Sequence, residues 1–414
     1  MKARRAKRLL HDVLVVHAAL WVVYFLHALF GPPTSPSDRD WFALREVARS
    51  FVGGDWTSLY AERVLSAGTQ FFRYPPFVLY LIAPLAVVPP MIAYALVCVT
   101  QVAAAVFGLL LLFRIRKPAE PRLNFVAVFG SAAMVHVIVS GQNSAVLALV
   151  IAAAGFCWAS GRVALAGACI GLLACKPNWL PVFGAFVLWR GGLRAGAATV
   201  LTAAALVLST YPMGAGVWQD FLGMTLRAGE ISTGYAAYKE ITLLALVKSV
   251  LGWGFLTKSV WLLGLGVLTA LVIQAIRDAR SLGRSLALIT LLAVVANPYA
   301  SFYDGLVLIV PGTLWLAHRD EYPARAWWML GAWIGAYWFW DMAVFYYGAF
   351  VPALGTPRLS AGGLLLSGWL VTEALARPPA AVEEQVADSP LERHDRYAVE
   401  FDVADAAKAY GLTR

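Results

Sequence analysis

Ionisable and amide side chains are sparse in this chain, and most of the informative ones stand where apolar runs begin or end. The long polar stretch between the first two hydrophobic runs holds Asp38 and Asp40 on either side of Arg39. In an extended segment, residues two apart point the same way. Two such carboxylates can share a metal, or one can act as a base while the other stays solvated. Asp40 also stands directly before WFALREVARSF, so capping that helix is the competing reading; Asp38 reads more plainly as a loop residue. Arg45 and Arg49 are four apart and share a helix face. That face suits an anionic headgroup as well as it suits solvent. Asp55, after Gly53-Gly54, reads as turn chemistry.

Four more constellations follow. Arg73-Tyr74-Pro75-Pro76 puts a cation at the start of a short apolar helix, where free backbone N–H groups favour an anion; snorkelling of the arginine is the alternative. His136 lies one turn before Ser140-Gly141-Gln142-Asn143, either as a hydrogen-bonded core residue or as part of a site. Gln142 and Asn143 can bind a hydroxyl-rich substrate or cap the next helix. Lys176-Pro177-Asn178 carries a cation with no acidic neighbour in sequence, suited to a phosphate or to snorkelling. Asn297, Tyr299, Tyr303 and Asp304 form the last corner. A helix start favours a carboxylate on its own, whereas burial of Asp304 beside Lys176 would be functional. Asp341, inside WFWDMAVFYY, is a further candidate contact. Ionisable groups within membrane segments are functional candidates by default. One carboxylate base with two or three cations in a lipid-accessible cavity suits transfer from a lipid phosphate donor. The base takes the proton of an acceptor hydroxyl, and the cations stabilise charge on the leaving phosphate.

The elements that must position these groups are membrane helices. The chain has 414 residues, 60% hydrophobic and 14% charged, where a soluble domain carries about a quarter charged residues. The formal net charge of +9 is explained by Lys and Arg in cytoplasmic loops, so no nucleic-acid partner is implied. Cys98, Cys157, Cys169 and Cys175 lie in apolar runs without zinc-ligand spacing and read as core thiols. The expected fold is an all-α polytopic membrane protein of about twelve transmembrane helices. A re-entrant half-membrane helix and amphipathic periplasmic helices complete it.

The basic start MKARRAKR places the N-terminus inside, before a first span near 9–30. Further spans fall near 91–113, 123–139, 143–159, 163–175, 177–189, 195–211, 258–276, 285–299, 303–317, 326–346 and 359–376. Residues 75–89, bounded by prolines, read as the half-membrane helix, tolerated where it is buried in protein or lines a cavity. On this topology, residues 1–376 form one membrane domain with external regions at 31–74 and 212–257. The second includes the amphipathic KEITLLALVKSVLGW. All four corners and the Asp40 loop fall on the external side, and both termini are cytoplasmic. The polar, acidic segment 377–414 reads as a mostly disordered tail.

Several stretches are similar to glycosyltransferase family 87, within the C superfamily of integral-membrane glycosyltransferases. They are DWFALREVARSFVGGDWTSLY, FRYPPFVLYLIAPLAVVPP, SGQNSAVLALVIAAAG, LLACKPNWLPVF and NPYASFYDGLVLIVP, in the family's order over roughly residues 38–312. The resemblance implies an inverting transfer of a sugar, mannose or a pentose, from a polyprenyl-phosphate donor to a lipid or envelope-glycan acceptor at the external face of the plasma membrane. It implies Asp40 as general base, with Asp38 as the backup, and matches the family's Lys-Pro corner to Lys176 and its Pro-to-Asp corner to Pro298 and Asp304. Arg73 and Lys176 are expected to hold the donor phosphate. Tyr74, His136, Gln142, Asn143, Asn297, Tyr299, Tyr303 and Asp304 are expected to line the substrate site. No cofactor and no metal ligand set is expected, and membrane lipids are the surrounding partners. A transporter or flippase for lipid-linked sugars, or a non-catalytic subunit of an envelope assembly complex, would use the same cavity without the chemistry.

Overall fold

Proline and glycine decide where the apolar runs break into helices. The computed structural model describes residues 19, 40–56, 58–60, 63–65, 68–70, 72–118, 121–129, 131–231, 240–278, 281–317 and 361–375. The expected spans at 9–30 (residue 19 apart) and 326–346, Asp38, Asp341 and the tail lie outside them. The described chain is mostly helical, as an all-α membrane protein requires. One small hairpin stands apart from the all-α expectation, β1 (Arg63–Leu65) paired antiparallel with β2 (Gly68–Gln70).

The first described helix, α1 (Asp40–Val52), leads through this hairpin to α2 (Val78–Ile82) and α3 (Pro84–Val87). The stretch Val78–Val87 rises only about 15 Å at helical pitch, half of a hydrocarbon core. It is too short to cross a bilayer as one helix, and Pro84 divides it in two. Then α4 (Pro90–Ile115) starts on a proline in its first turn and ends among Arg114, Arg116 and Lys117. The expected span 123–139 is instead two helices, α5 (Pro121–Phe129) and α6 (Ala132–Ser140). The break comes at Ser131, whose Oγ accepts the Met134 N–H and starts a new helix. Next come α7 (Ser144–Ala159) and α8 (Val163–Gly171), the latter ending in a 3-10 turn at Leu172–Cys175.

After this turn, α9 (Leu180–Leu208) forms two arms rather than one rod. Gly192 has φ 67° and ψ −167°, outside the helical region. A Cβ on Gly196 would sit 2.6 Å from Leu188 Cδ1, whereas residues eight apart on a straight helix are about 12 Å apart. The chain therefore doubles back, and the arms fall where spans 177–189 and 195–211 were expected. The second arm meets α8 through small residues: Thr199 Oγ1 donates to Gly167 O at 2.9 Å, the close approach that small side chains permit in membranes.

The remaining helices are α10 (Ala215–Ile231), α11 (Leu243–Leu251), α12 (Phe255–Asp278), α13 (Leu282–Ala296), α14 (Ile309–Ala317) and α15 (Ala361–Leu375). A 3-10 helix, Phe302–Leu308, precedes α14. By length and composition, Pro90–Ile115, Leu180–Met213 and Phe255–Arg277 are apolar enough to cross a bilayer, the second of them folded back at Gly192; shorter apolar helices include Ser144–Ala159, Val163–Cys175 and Leu282–Ala296. From Ser285 to Ala296, every residue of α13 is buried. A helix apolar on all sides belongs at a core, and it packs with α7, α9, α12, α14 and α15. Residues 59–78 pack on α10 through a second apolar cluster that includes Tyr60, Phe72, Phe77, Val217 and Phe221.

Candidate functional site

The central helix α13 ends at Asn297, because the residue before a proline avoids helical backbone and Pro298 follows. The chain then turns into the 3-10 helix carrying Tyr303 and Asp304. Ser301 and Asp304 cap that helix reciprocally, with the Asp304 carboxylate accepting the Ser301 N–H at 3.2 Å. Asp304 is only 3% exposed. Its Oδ1 accepts from Lys176 Nζ at 2.6 Å and from Ser144 Oγ at 2.8 Å. Lys176 reaches it from the turn after the Leu172–Cys175 segment, where its own N–H donates to Leu173 O at 2.9 Å. The ammonium also lies 5.5 Å from the Tyr303 ring centroid, within cation–π range. Lys176 and Asp304, apart in sequence, thus form one buried ion pair.

Beside it, Asn178 Nδ2 donates to Asn297 Oδ1 at 2.8 Å, and the Tyr299 N–H donates to the same oxygen at 2.8 Å. Asn143 stands at the start of α7 without a side-chain capping bond. Among the described residues, buried Asn143 Oδ1, Asn297 Nδ2 and Trp179 Nε1 have no hydrogen-bond partner. Each lies on, or next to, a residue of this network. Buried polar groups are ordinarily paired, and these three depart from that rule.

The segment around Tyr60 and Tyr74 arrives on the same corner. Tyr74 Oη donates to Gln142 Oε1 at 3.1 Å, and Tyr60 Oη donates to Tyr74 O at 2.9 Å. The Tyr60 phenol is pushed far up, first by burial and then by the charge of Asp220. Gly141 ends α6 in the left-handed conformation with φ 70°, and Gln142 N–H closes the turn on Val137 O at 3.0 Å. This is the Schellman pattern that glycine favours. Gly141 also faces the Trp41 side chain so closely that a Cβ there would overlap Trp41 Cβ. Trp41 in turn stacks on Tyr94 with ring centroids 5.2 Å apart. The backbone of Asp40, the first residue of α1, is therefore next to the 140–143 corner. We expect Gly141→Ala to cost about 2–4 kcal/mol from left-handed strain plus overpacking, read as a lowered melting temperature in detergent; an unchanged melt would mean that Trp41 does not bear on Gly141.

The expected residues separate into three sets. Tyr74, Gln142, Asn143, Lys176, Asn297, Tyr299, Tyr303 and Asp304 come together. His136 is buried on α6, one turn from the corner. Arg73 is exposed, and its charge acts on Glu240 and Tyr299. The shared face of Arg45 and Arg49 is not a single anion site. Arg45 is buried and donates to Val88 O at 3.0 Å, whereas Arg49 is exposed beside Glu46 at 3.3 Å. Three residues of the corner were not singled out as site residues. Asn178 closes the Lys176-Pro177-Asn178 motif and Ser144 directly follows Asn143, which is the signal that marks them. Glu240 falls within the amphipathic stretch KEITLLALVKSVLGW but precedes α11, which begins at Leu243.

A family description, glycosyltransferase family 87, matches residues 71–298, more than half of the chain. No curated protein and no solved structure matches it.

Proposed function

Because the chain belongs to glycosyltransferase family 87, we propose that this membrane glycosyltransferase takes its sugar, mannose or a pentose, from a polyprenyl-phosphate donor. The acceptor is a hydroxyl of a lipid or envelope glycan. The reading places twelve spans in the plasma membrane, the site on the external face and both termini in the cytoplasm. The acceptor oxygen attacks the anomeric carbon as its bond to the phosphate oxygen breaks, inverting that centre. The acceptor proton passes to Asp40, and polyprenyl phosphate leaves with the bonding electrons. Lys176 has three N–H donors, of which one serves Asp304, so two remain for the leaving phosphate, and Arg73 supplies a second cation. Gln142, Asn143, Asn297 and the Tyr299 and Tyr303 phenols face the sugar.

The observation that carries this reading is the Lys176–Asp304 pair, drawn from segments 128 residues apart onto the corner that Asp40 adjoins. Burying a charge pair is expensive, and its site is also rich in amide groups and orphaned donors. The test is incubation of the purified protein with a panel of polyprenyl-phosphate sugars and lipid acceptors, read by mass spectrometry. One donor should give a glycosylated acceptor. Movement of intact donor between leaflets without product, or no product from any donor, overturns the proposal.

A further inference from the structure

Two struts join the turn before α9 to the corner after α13. Lys176 reaches Asp304, and two residues on, Asn178 reaches Asn297, its Nδ2 donating to Oδ1 at 2.8 Å. The ion pair has a part in the proposed reaction, whereas Asn178 has none. The turn that carries Asn178 is held by its own backbone. Trp179 N–H donates to Lys176 O at 3.0 Å, and Leu180 N–H donates to Pro177 O at 3.2 Å. Asn178 is half-buried, the Trp179 side chain beside it is fully buried, and Asn297 is only 1% exposed.

The bonds to Asn297 decide which way its carboxamide faces. One end of the group is an acceptor oxygen and the other a nitrogen with two donor protons; their partners tell them apart. The Tyr299 backbone N–H, 2.8 Å away, can only donate, so the atom facing it is the oxygen. Asn178 must then turn its own NH2 group to that oxygen. Both acceptor positions of Oδ1 are thereby taken, one by Tyr299 and one by Asn178. Asn297 Nδ2 is left on the other side of the group, buried and without a hydrogen-bond partner among the described residues. With Tyr299 alone, the amide could still swing about a single bond to its oxygen. Asn178 supplies the second bond and removes that freedom.

We propose that Asn178 is a positioning residue for donor selectivity, which fixes the Asn297 carboxamide so that Nδ2 donates to a hydroxyl oxygen of the donor sugar. This rests on the donor reading given above. Lys176, two residues from Asn178, is the cation assigned to the leaving phosphate, so the sugar on that phosphate lies beside the amide pair. A neutral N–H suits a hydroxyl, since the phosphate charge is met by the ammonium. A buried and fixed donor discriminates strongly, because a sugar lacking the hydroxyl leaves the N–H unpaired.

The test compares the purified wild type with Asn178→Leu, Asn297→Leu and the double variant. Leucine approximates the shape of asparagine and removes its amide. For each protein, kcat/KM is measured on the donor that the wild type turns over and on the monodeoxy analogues of that donor's sugar. Wild type should reject one analogue by about 10- to 100-fold, the cost of leaving a buried N–H unpaired. That factor should fall below about threefold in both single variants and change no further in the double variant, the non-additivity of residues acting as a unit. An Asn178 with only a structural role would lower activity on parent and analogue alike and leave the ratio as it was. Equal use of every analogue by wild type, an unchanged ratio in Asn178→Leu, or a further fall in the double variant overturns the proposal. Thermal unfolding of the same four proteins in detergent needs no substrate. Coupled melting shifts support the amide contact, and additive ones overturn it even where a variant is inactive. Failure of the donor reading is distinct: wild-type protein then makes no product from any polyprenyl-phosphate sugar.

Discussion

Asp40→Asn should lower kcat for sugar transfer by about 10²–10⁴-fold, the usual contribution of a positioned general base, with donor KM within about threefold of wild type. The choice of asparagine matters. Asp40 opens α1, and capping that helix is the alternative account of the residue. Asparagine caps a helix about as well as aspartate does, so a purely structural Asp40 would tolerate this change and the variant would turn over normally. It cannot accept a proton from the acceptor hydroxyl, so a base would be lost outright. Alanine would confound the two, because it removes the cap and the base together. Initial rates against both substrates decide between them. A kcat near that of wild type removes Asp40 from the chemistry, whatever the fate of the other residues.

The parts of the corner that were legible in the sequence are those written by local backbone chemistry. Gly141 ends a helix because it tolerates φ 70°, Pro298 stops α13, and Pro177 follows Lys176. Each is readable without knowing what lies opposite. The pairing of Lys176 with Asp304 was only a possibility on paper, since no neighbour in the chain specifies it; it depends on how α8, α9 and α13 pack. Helical spacing correctly put Arg45 and Arg49 on neighbouring positions of one helix. Residues four apart still differ by about 40° around the axis, which is enough for one to face Val88 and the other solvent. The break at Ser131 was hidden by the apolar residues on either side. Glu240 was read as part of an interfacial helix, but that helix begins at Leu243. Residue 240 joins the corner through a backbone bridge to Ser301 that no side-chain pattern encodes.

The ion pair itself yields the largest effect on stability, and the asymmetry between its two ends makes the result diagnostic. The Asp304 side chain is 4% exposed and that of Lys176 is 14% exposed. Lys176→Met strands the more buried charge. Ser144 and the Ser301 N–H still donate to Asp304, but no cation balances it, and breaking a buried pair in this way costs about 3–5 kcal/mol. Asp304→Asn leaves the ammonium with some access to water and should cost less. The double variant Lys176→Met/Asp304→Asn removes both charges and should recover most of the loss, since a neutral replacement of a buried pair is often tolerated. Thermal unfolding in detergent reads that order: Lys176→Met least stable, Asp304→Asn between, the double variant nearest wild type. Activity should not follow the same order. If Lys176 supplies donors to the leaving phosphate, losing a hydrogen bond to a charged group should cut kcat/KM by about 10- to 100-fold in both variants that lack it. The restabilised double variant is therefore the decisive protein. Folded and inactive, it assigns the pair to catalysis; folded and active, it leaves Lys176 and Asp304 as a structural bridge between distant segments, and the phosphate must be held by other groups.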